Sequence, residues 1–523
     1  MVRIRFGIPL FALTLALFVA GCGEDDAGSS QSSSAGPTMA GFAAPGSVVY
    51  VEGELKPTGE MKSNVDSVAA IISGSDTLGG LIISELEESA RESGETFDYQ
   101  REVEPWLGEK ASVAFEKVEE DGDLSEPLIA IETADEAASQ KFIDARASQG
   151  GKYRSASYEG IEIKIGGSEQ NAIGVFDGAV VIADDEAAFK AAVDASAGDS
   201  LADEARFADA IAAASAESFA DVYVDVGAVI GQSGDRIDDQ ASEALDSAGI
   251  DPSEATAVAS VIPGADEIEV ELSSDLGGEK PPSGDVSELL GSLPADSFAA
   301  FAVSGFGEQL QEAIDNLDET GIPPELKPGE LKDTLNEAGI DLDKIAASVE
   351  DAAVFAEGAS EASLGGAMVL SVDQSGEATK AIAQLGTLLR SAGAPGITAL
   401  KEGAAGFSIR SPELGDKPLV VATEGSRIAI GYGLAQTLRG LKAGGATLSG
   451  DATYKAAVAS LGKTPISAFA DGPAALALAD ALVPRSESDY QEAKPYLRKI
   501  AYLALGSTED EPPTAKLIVG LEK

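Results

Sequence analysis

Residues 172–183 read Ala172-Ile173-Gly174-Val175-Phe176-Asp177-Gly178-Ala179-Val180-Val181-Ile182-Ala183. Two apolar runs flank Asp-Gly. A two-residue hairpin turn that matches the twist of its strands needs positive φ at both central residues, and Asp-Gly supplies it at little cost. The stretch therefore predicts an antiparallel hairpin. Just upstream, Glu159-Gly160 separates Tyr153–Ser157 from Ile161–Ile165 and predicts another. Further toward the N-terminus, Ala111–Glu116 and Pro127–Glu132 read as strands. Thr133 with Glu136 has the spacing of a capping box and opens a helix whose apolar face includes Phe142 and Ile143. Ser47–Val51 reads as the first strand, and its continuation into Glu52-Gly53-Glu54 predicts a sheet with one wet face. A helical pattern runs over Asn64–Ser93, interrupted near Gly74. Beyond the hairpin, Glu186–Ala195 and Glu204–Ala214 read as helices and Phe219–Val226 as a strand. Hairpins and single helices alternate with strands and no regular βαβ unit appears. The expected class is α+β: a mainly antiparallel sheet with helices packed on one face.

The same pattern returns later in the chain. Phe176-Asp177-Gly178-Ala179 compares with Thr423-Glu424-Gly425-Ser426, each an acidic-Gly turn before an apolar strand. The same spacing carries Gly198 onto Gly445, Leu201 onto Leu448, Phe207 onto Tyr454 and Ala210 onto Ala457. With small drifts, Pro45-Gly46-Ser47 falls on Pro294-Ala295-Asp296, and Thr133–Glu136 falls on Ser371–Gln374, a second capping box. Landmarks in one order predict a tandem duplication, with an extra segment around Ala392–Thr398 in the second copy. The breaker-rich stretch Gly277–Gly284 divides the copies. The expected organisation is 1–21 signal peptide, 22–43 polar tether, 44–278 first α+β repeat and 279–523 second.

The N-terminal assignment rests on a different pattern. Arg3 and Arg5 precede an apolar run from Phe6 to Ala20, too short to span a membrane comfortably. Val19-Ala20-Gly21-Cys22 resembles the lipobox of bacterial lipoproteins. That resemblance implies cleavage before Cys22, a lipid on its thiol and attachment to the extracytoplasmic face of a membrane, with two acyl chains giving a stable anchor. Gly23-Glu24-Asp25-Asp26 and the Ser/Gly-rich stretch to about Gly41 follow as a tether that cannot bury apolar surface. The alternative is an ordinary secreted protein with a chance cysteine. Cys22 is the chain's one cysteine, so no disulfide is available to stabilise the exported part.

Composition excludes several chemistries. There are 89 acidic and 36 basic residues, a formal net charge of −53. Nucleic-acid binding is excluded for want of a basic footprint, and adhesion to anionic head groups is disfavoured by the same sign. With 0 histidines and Cys22 assigned to lipid, Ser-His-Asp and thiol sites are unavailable, and so is the commonest zinc ligand. Gly462-Lys463-Thr464 looks like the end of a phosphate loop. Ala457 stands where that motif needs Gly, however, and Pro465 and an apolar strand follow where it needs a helix. Ser460 and Lys463 match a Ser-Lys pair without its partner motifs. Glu119-Glu120-Asp121-Gly122-Asp123 reads as a solvated turn rather than a calcium loop. Trp106 reads as a packing residue. No catalytic, cofactor-binding or metal residue is expected; the one modified residue is Cys22.

The lipobox, the polar tether and the opening Pro45-Gly46-Ser47-Val48-Val49-Tyr50, echoed at Pro294-Ala295-Asp296-Ser297, together resemble an uncharacterised family of exported bacterial proteins, domain of unknown function 3352. That resemblance implies no activity and carries over no site residue apart from Cys22. The expected function is a membrane-anchored, non-enzymatic binding protein for an apolar ligand or an envelope partner. The alternatives are a hydrolase that works through carboxylates or a divalent cation, and an acidic structural spacer.

Overall fold

The computed structural model describes residues 39–522 except 74–76, 78–97, 120–123, 151–152, 167–170, 233–254, 276–283, 321–329, 374, 392, 401–403, 443–444 and 509–513. Cys22, the signal segment and most of the tether lie outside the described residues, as do most of the Gly277–Gly284 linker, residues 120–123 of the acidic turn and the later part of Asn64–Ser93. The chain divides into two compact units, Met1–Pro281 with Asp510–Ala515 and Lys523, and Pro282–Glu509 with Lys516–Glu522; each strand is assigned to the unit that holds most of its residues.

Among the described residues each unit holds ten strands. In the first they are β1 Val49–Glu54, β2 Leu107–Val118, β3 Leu124–Thr133, β4 Arg154–Tyr158, β5 Ile161–Gly166, β6 Asn171–Phe176, β7 Ala179–Ala183, β8 Ala220–Asp225, β9 Thr256–Pro263 and β10 Glu267–Asp275. They pair in the order β4-β5-β6-β7-β3-β2-β1-β8-β9-β10, antiparallel throughout. In the second they are β11 Ser297–Val303, β12 Val349–Glu357, β13 Gly365–Val372, β14 Ile397–Ala399, β15 Ala405–Ile409, β16 Leu419–Glu424, β17 Arg427–Tyr432, β18 Ile466–Asp471, β19 Ile500–Ser507 and β20 Thr514–Leu521. These pair as β14-β15-β16-β17-β13-β12-β11-β18-β19-β20, the same order.

The two Gly-turn hairpins of the first unit form as their residues require. Phe176 pairs with Ala179 and Tyr158 with Ile161. Asp177 and Gly178 have φ of 47° and 77°, and Glu159 and Gly160 have 49° and 88°. In the second unit Glu424 pairs with Arg427, so the turn is Gly425-Ser426. Positive φ is needed there at Gly425 alone (60°), the requirement of a turn with Gly in the first central position. The match of Asp177-Gly178 to Glu424-Gly425 is therefore one residue out of structural register.

Helices pack on both faces of each sheet, which corrects the expectation of helices on one face. In the first unit the helix Glu186–Ala197 puts Phe189, Ala192 and Val193 against Ala130, Ala172 and Val181. The helix Glu136–Gly150 lays Ile143 and Phe142 on the opposite face, against Ile131, Val180 and Ile182. In the second unit Leu434–Leu441 covers Val369 and Ala429, while Ser375–Ser391 covers Leu370 and Ile428. The continuous run Ala179–Ala183 is the sequence mark of a strand dry on both sides. The wet face expected for β1 is likewise overturned: Val49, Tyr50, Val51 and Glu52 are all buried.

Three local expectations change. The Thr133 capping box does not form, and Gln374 of the second lies outside the described residues. Asp135 caps the helix Glu136–Gly150, its Oδ1 accepting from Ala138 N at 3.0 Å, while Thr133 Oγ1 donates to Trp106 O and Glu136 accepts from Gly178 N. Ser371 stays in β13 and bonds the backbone of Asp351. Third, the end of the expected tether belongs to the core. Met39–Phe42 form a 3-10 turn, and Met39, Ala40, Phe42 and Ala43 are buried. Phe42 meets Phe176 edge-on at 5.4 Å.

Equivalent residues support equivalent cores. Leu201 and Leu448 each open a 3-10 turn and are fully buried. Leu201 N bonds Ala43 O at 3.0 Å, and Leu448 N bonds Leu293 O at 2.9 Å. Phe207 packs edge-on against Tyr223 at 4.9 Å, and Tyr454 against Phe469 at 5.3 Å. Burial lifts the Tyr454 phenol to about 12. Phe207→Ala is expected to lower the stability of the first unit in urea unfolding by ~3–5 kcal/mol, and Tyr454→Ala that of the second by a similar amount. A loss below about 1 kcal/mol at either position would remove that ring from its core.

Candidate functional site

Two features of the units differ where their frameworks agree. The first is a polar row inside the first unit. Ser112, Glu52, Asp221 and Ser260 stand directly opposite one another on β2, β1, β8 and β9. Glu52 is 5 % exposed. Its Oε1 accepts from Lys110 Nζ at 2.7 Å, and its Oε2 accepts from the Tyr50 hydroxyl at 2.7 Å and from Met39 N at 3.1 Å. Three donors satisfy a carboxylate that water cannot reach, and Lys110 supplies the counter-charge without which a buried carboxylate is strongly destabilising. Asp221 Oδ1 accepts from Ser260 Oγ at 2.6 Å and Oδ2 from Ser218 Oγ at 2.8 Å.

In the second unit Ala353 and Ala302 stand in the places of Ser112 and Glu52; beyond them β18 is bulged, with Ile466 opposite Gly506 and Ser467 Oγ donating to Leu505 O at 3.3 Å. Ala302 and Ile466 are buried in an apolar core. The fold therefore does not require a carboxylate at the Glu52 position. Sequence reading missed it because Glu52-Gly53-Glu54 looks like a solvated strand end, and the partners Lys110 and Asp221 are far away in the chain.

The row contains more acid than base. Burial raises the Asp221 carboxyl; the Ser260 and Ser218 bonds oppose this and the Glu52 charge adds to it. Burial also raises Glu54, against the pull of Lys110. Burial, with Glu52 beside it, holds the Tyr50 phenol far above its ordinary range. Ser260 is 1 % exposed, so its hydroxyl orients a carboxylate rather than meeting a substrate. Among the described residues no group of three or more acidic side chains is placed to hold a metal ion.

The second feature is an open apolar sheet face in the second unit. On the side of the sheet away from Ala300, Phe355 and Phe469, two rows cross β12, β11, β18 and β19: Val354–Phe301–Ala468–Leu505 and Ala356–Ala299–Ala470–Leu503. All eight are apolar. Phe301 is 49 % exposed, Val354 47 % and Leu503 37 %. The matching rows of the first unit are Val113–Val51–Val222–Ala259 and Phe115–Val49–Val224–Ala257. There Val51 is 2 % exposed. Beside the open face, the helix Gly472–Leu482 and Leu497, Arg498, Ile500 and Glu522 line a pocket of about 260 Å³, smaller than the usual enclosed ligand site.

The motifs singled out from sequence stand apart from both features. Gly462 ends the helix Ala452–Leu461 with φ of 65° and is followed by β18, the reverse of the strand-loop-helix order that phosphate binding needs. Ser460 Oγ shares a hydrogen bond of 2.8 Å with the Tyr502 hydroxyl. Trp106 is buried against Phe142 at 5.6 Å, its Nε1 donating to Glu102 O at 2.7 Å.

The polar row makes a pH prediction. Asp221 has a folded pKa raised above its unfolded value, so its contribution to stability is full below about pH 4 and is lost as pH rises through the folded value. Urea unfolding from about pH 4 to about pH 7 is expected to show the first unit losing stability relative to Asp221→Asn as pH rises. A difference between the two proteins that stays constant with pH would show that Asp221 titrates normally.

No curated protein matches this chain. Among solved structures, one titled "Structure of crystal form I of TP0453" is 16 % identical, with a TM-score of 0.27, over 47 % of this chain and 82 % of that one. A score of that size carries no fold argument. A family model described as "Protein of unknown function (DUF3352)" matches residues 83–519. The chain belongs to the DUF3352 family.

Proposed function

We propose that this protein is an exported lipoprotein, cut before Cys22 and held by lipid at the extracytoplasmic face of a membrane, and that it works there as a non-enzymatic binding protein. Its body is read as a tandem duplication; identical strand order, paired 3-10 turns and paired aromatic contacts support that history. The observation that carries the binding role is the open apolar face around Phe301 and Val354. Contiguous exposed apolar surface is costly in water, and where it persists it marks an interaction surface. The position of the face matters too. It lies on the sheet of a unit whose relative in the same chain keeps the equivalent surface dry, so exposure is not a requirement of the fold.

The anchor and the face are tested separately. Cys22→Ser is expected to move the protein from the membrane fraction to the soluble exported fraction; unchanged membrane retention would refute the lipid anchor. An environment-sensitive apolar dye is expected to bind the full chain and to lose at least half of its fluorescence enhancement in Phe301→Asp with Val354→Asp. Equal dye signal from both proteins would dismiss the face as the binding surface.

A further inference from the structure

We infer that the open face of the second unit receives a short amphipathic helix of another protein, with small apolar side chains turned inward and lysine or arginine on its flanks; this rests on the face being the binding surface proposed above. The first unit shows what covers such a face. After β8 the chain turns directly into the helix Val226–Gln232, which lays Ala228 and Val229 against the cluster of Val49, Val51 and Phe115. The Gln232 amide holds the end of that helix across β2, accepting from Val118 N at 2.9 Å and donating to Glu116 O at 3.3 Å. In the second unit the chain also turns from β18 directly into a helix, Gly472–Leu482, capped by Asp471 through Ala474 N at 2.7 Å. This helix packs on β11, β18 and β19 and leaves Phe301 and Val354 open.

The strands decide how a partner can bind. β12, β11, β18 and β19 each have a neighbour on both sides, so no backbone edge is free there for strand addition. An occupant must use side chains. Ala468 and Ala470 on β18 form a shallow floor between Phe301 on β11 and Leu503 and Leu505 on β19, Ala299 and Ala356 extend it along β11 and β12, and small residues allow a helix axis to come close. Charge selects among occupants. A net charge of −53 repels a second copy of this chain and anionic head groups, and attracts a helix with cationic flanks.

The test uses the full chain and a fluorescent, synthetic 18-residue helical peptide with an Ala/Leu stripe flanked by lysines. Saturable binding is expected, at least tenfold weaker with Phe301→Asp or Val354→Asp, weaker at high salt and unchanged with Tyr496→Asp, an exposed position (56 %) on the helix Ser488–Leu497. Circular dichroism confirms that each variant is folded. Dye binding at the face without peptide binding would overturn the helix and leave the binding role standing; failure of both would end the binding role as well. Peptide affinity indifferent to Phe301→Asp would place the helix elsewhere and overturn the proposal. So would Phe301-dependent binding of phosphatidylcholine vesicles in place of the peptide, or a dimer of this chain that Phe301→Asp dissolves.

Discussion

A sheet with apolar side chains on both faces must be covered on both, and that constraint organises the whole molecule. Helices pack on both sides of each sheet, and the second sheet is left open on one side only around Phe301 and Val354 among its inner strands. Each long crossing of the chain returns a helix to one face or the other: Glu136–Gly150 and Ser375–Ser391 on one, Glu186–Ala197 and Leu434–Leu441 on the other. With no disulfide available, this two-sided burial is what the fold has to work with, at roughly 25 cal/mol per Å² of apolar surface removed from water. The apolar stretch around Phe301, open on inner strands, is for that reason the feature most in need of a functional account.

The two units answer the same packing problem with different residues. In the second, Ala302 at the place of Glu52 lies in plain apolar core. In the first, the same row carries Glu52 and Asp221, and the turn Met39–Phe42 closes over it with Met39 N on the Glu52 carboxylate. Residues 39–42 are thus fastened to the least apolar part of the core. A buried ion pair with full hydrogen bonding adds little net stability over an apolar replacement, but losing one partner is severe. The row therefore fixes where the chain enters the unit more than it strengthens the unit.

Much of the local structure is legible in sequence because it is decided by adjacent residues. Asp177-Gly178 and Glu159-Gly160 specify their turns through φ alone. Phe207 and Tyr454, matched by spacing, occupy the same place in their cores. The failures share a cause, which is competition from distant partners. Thr133 has the spacing of a cap, but its hydroxyl is taken by Trp106 O and the cap passes to Asp135. Glu52 reads as wet until Lys110, 58 positions on, reaches it. The open face is also invisible in sequence. Val51 and Phe301 are both apolar strand residues in matching rows, and what separates 2 % from 49 % exposure is the direction taken by the helix that follows β8 or β18. Neither candidate site announces itself by a motif, because one is built from cross-strand neighbours and the other from missing cover.

The most direct test of the binding role is to ask whether the open face is occupied where the protein works. Covalent radical labelling read by mass spectrometry can be carried out on the protein in intact envelopes and again after purification. Phe301, Val354 and Leu503 should be labelled in the purified protein and protected in the envelope, with Val51 protected in both. Equal labelling of Phe301 in the two settings would contradict the account, because a face that stays bare in the envelope binds nothing there.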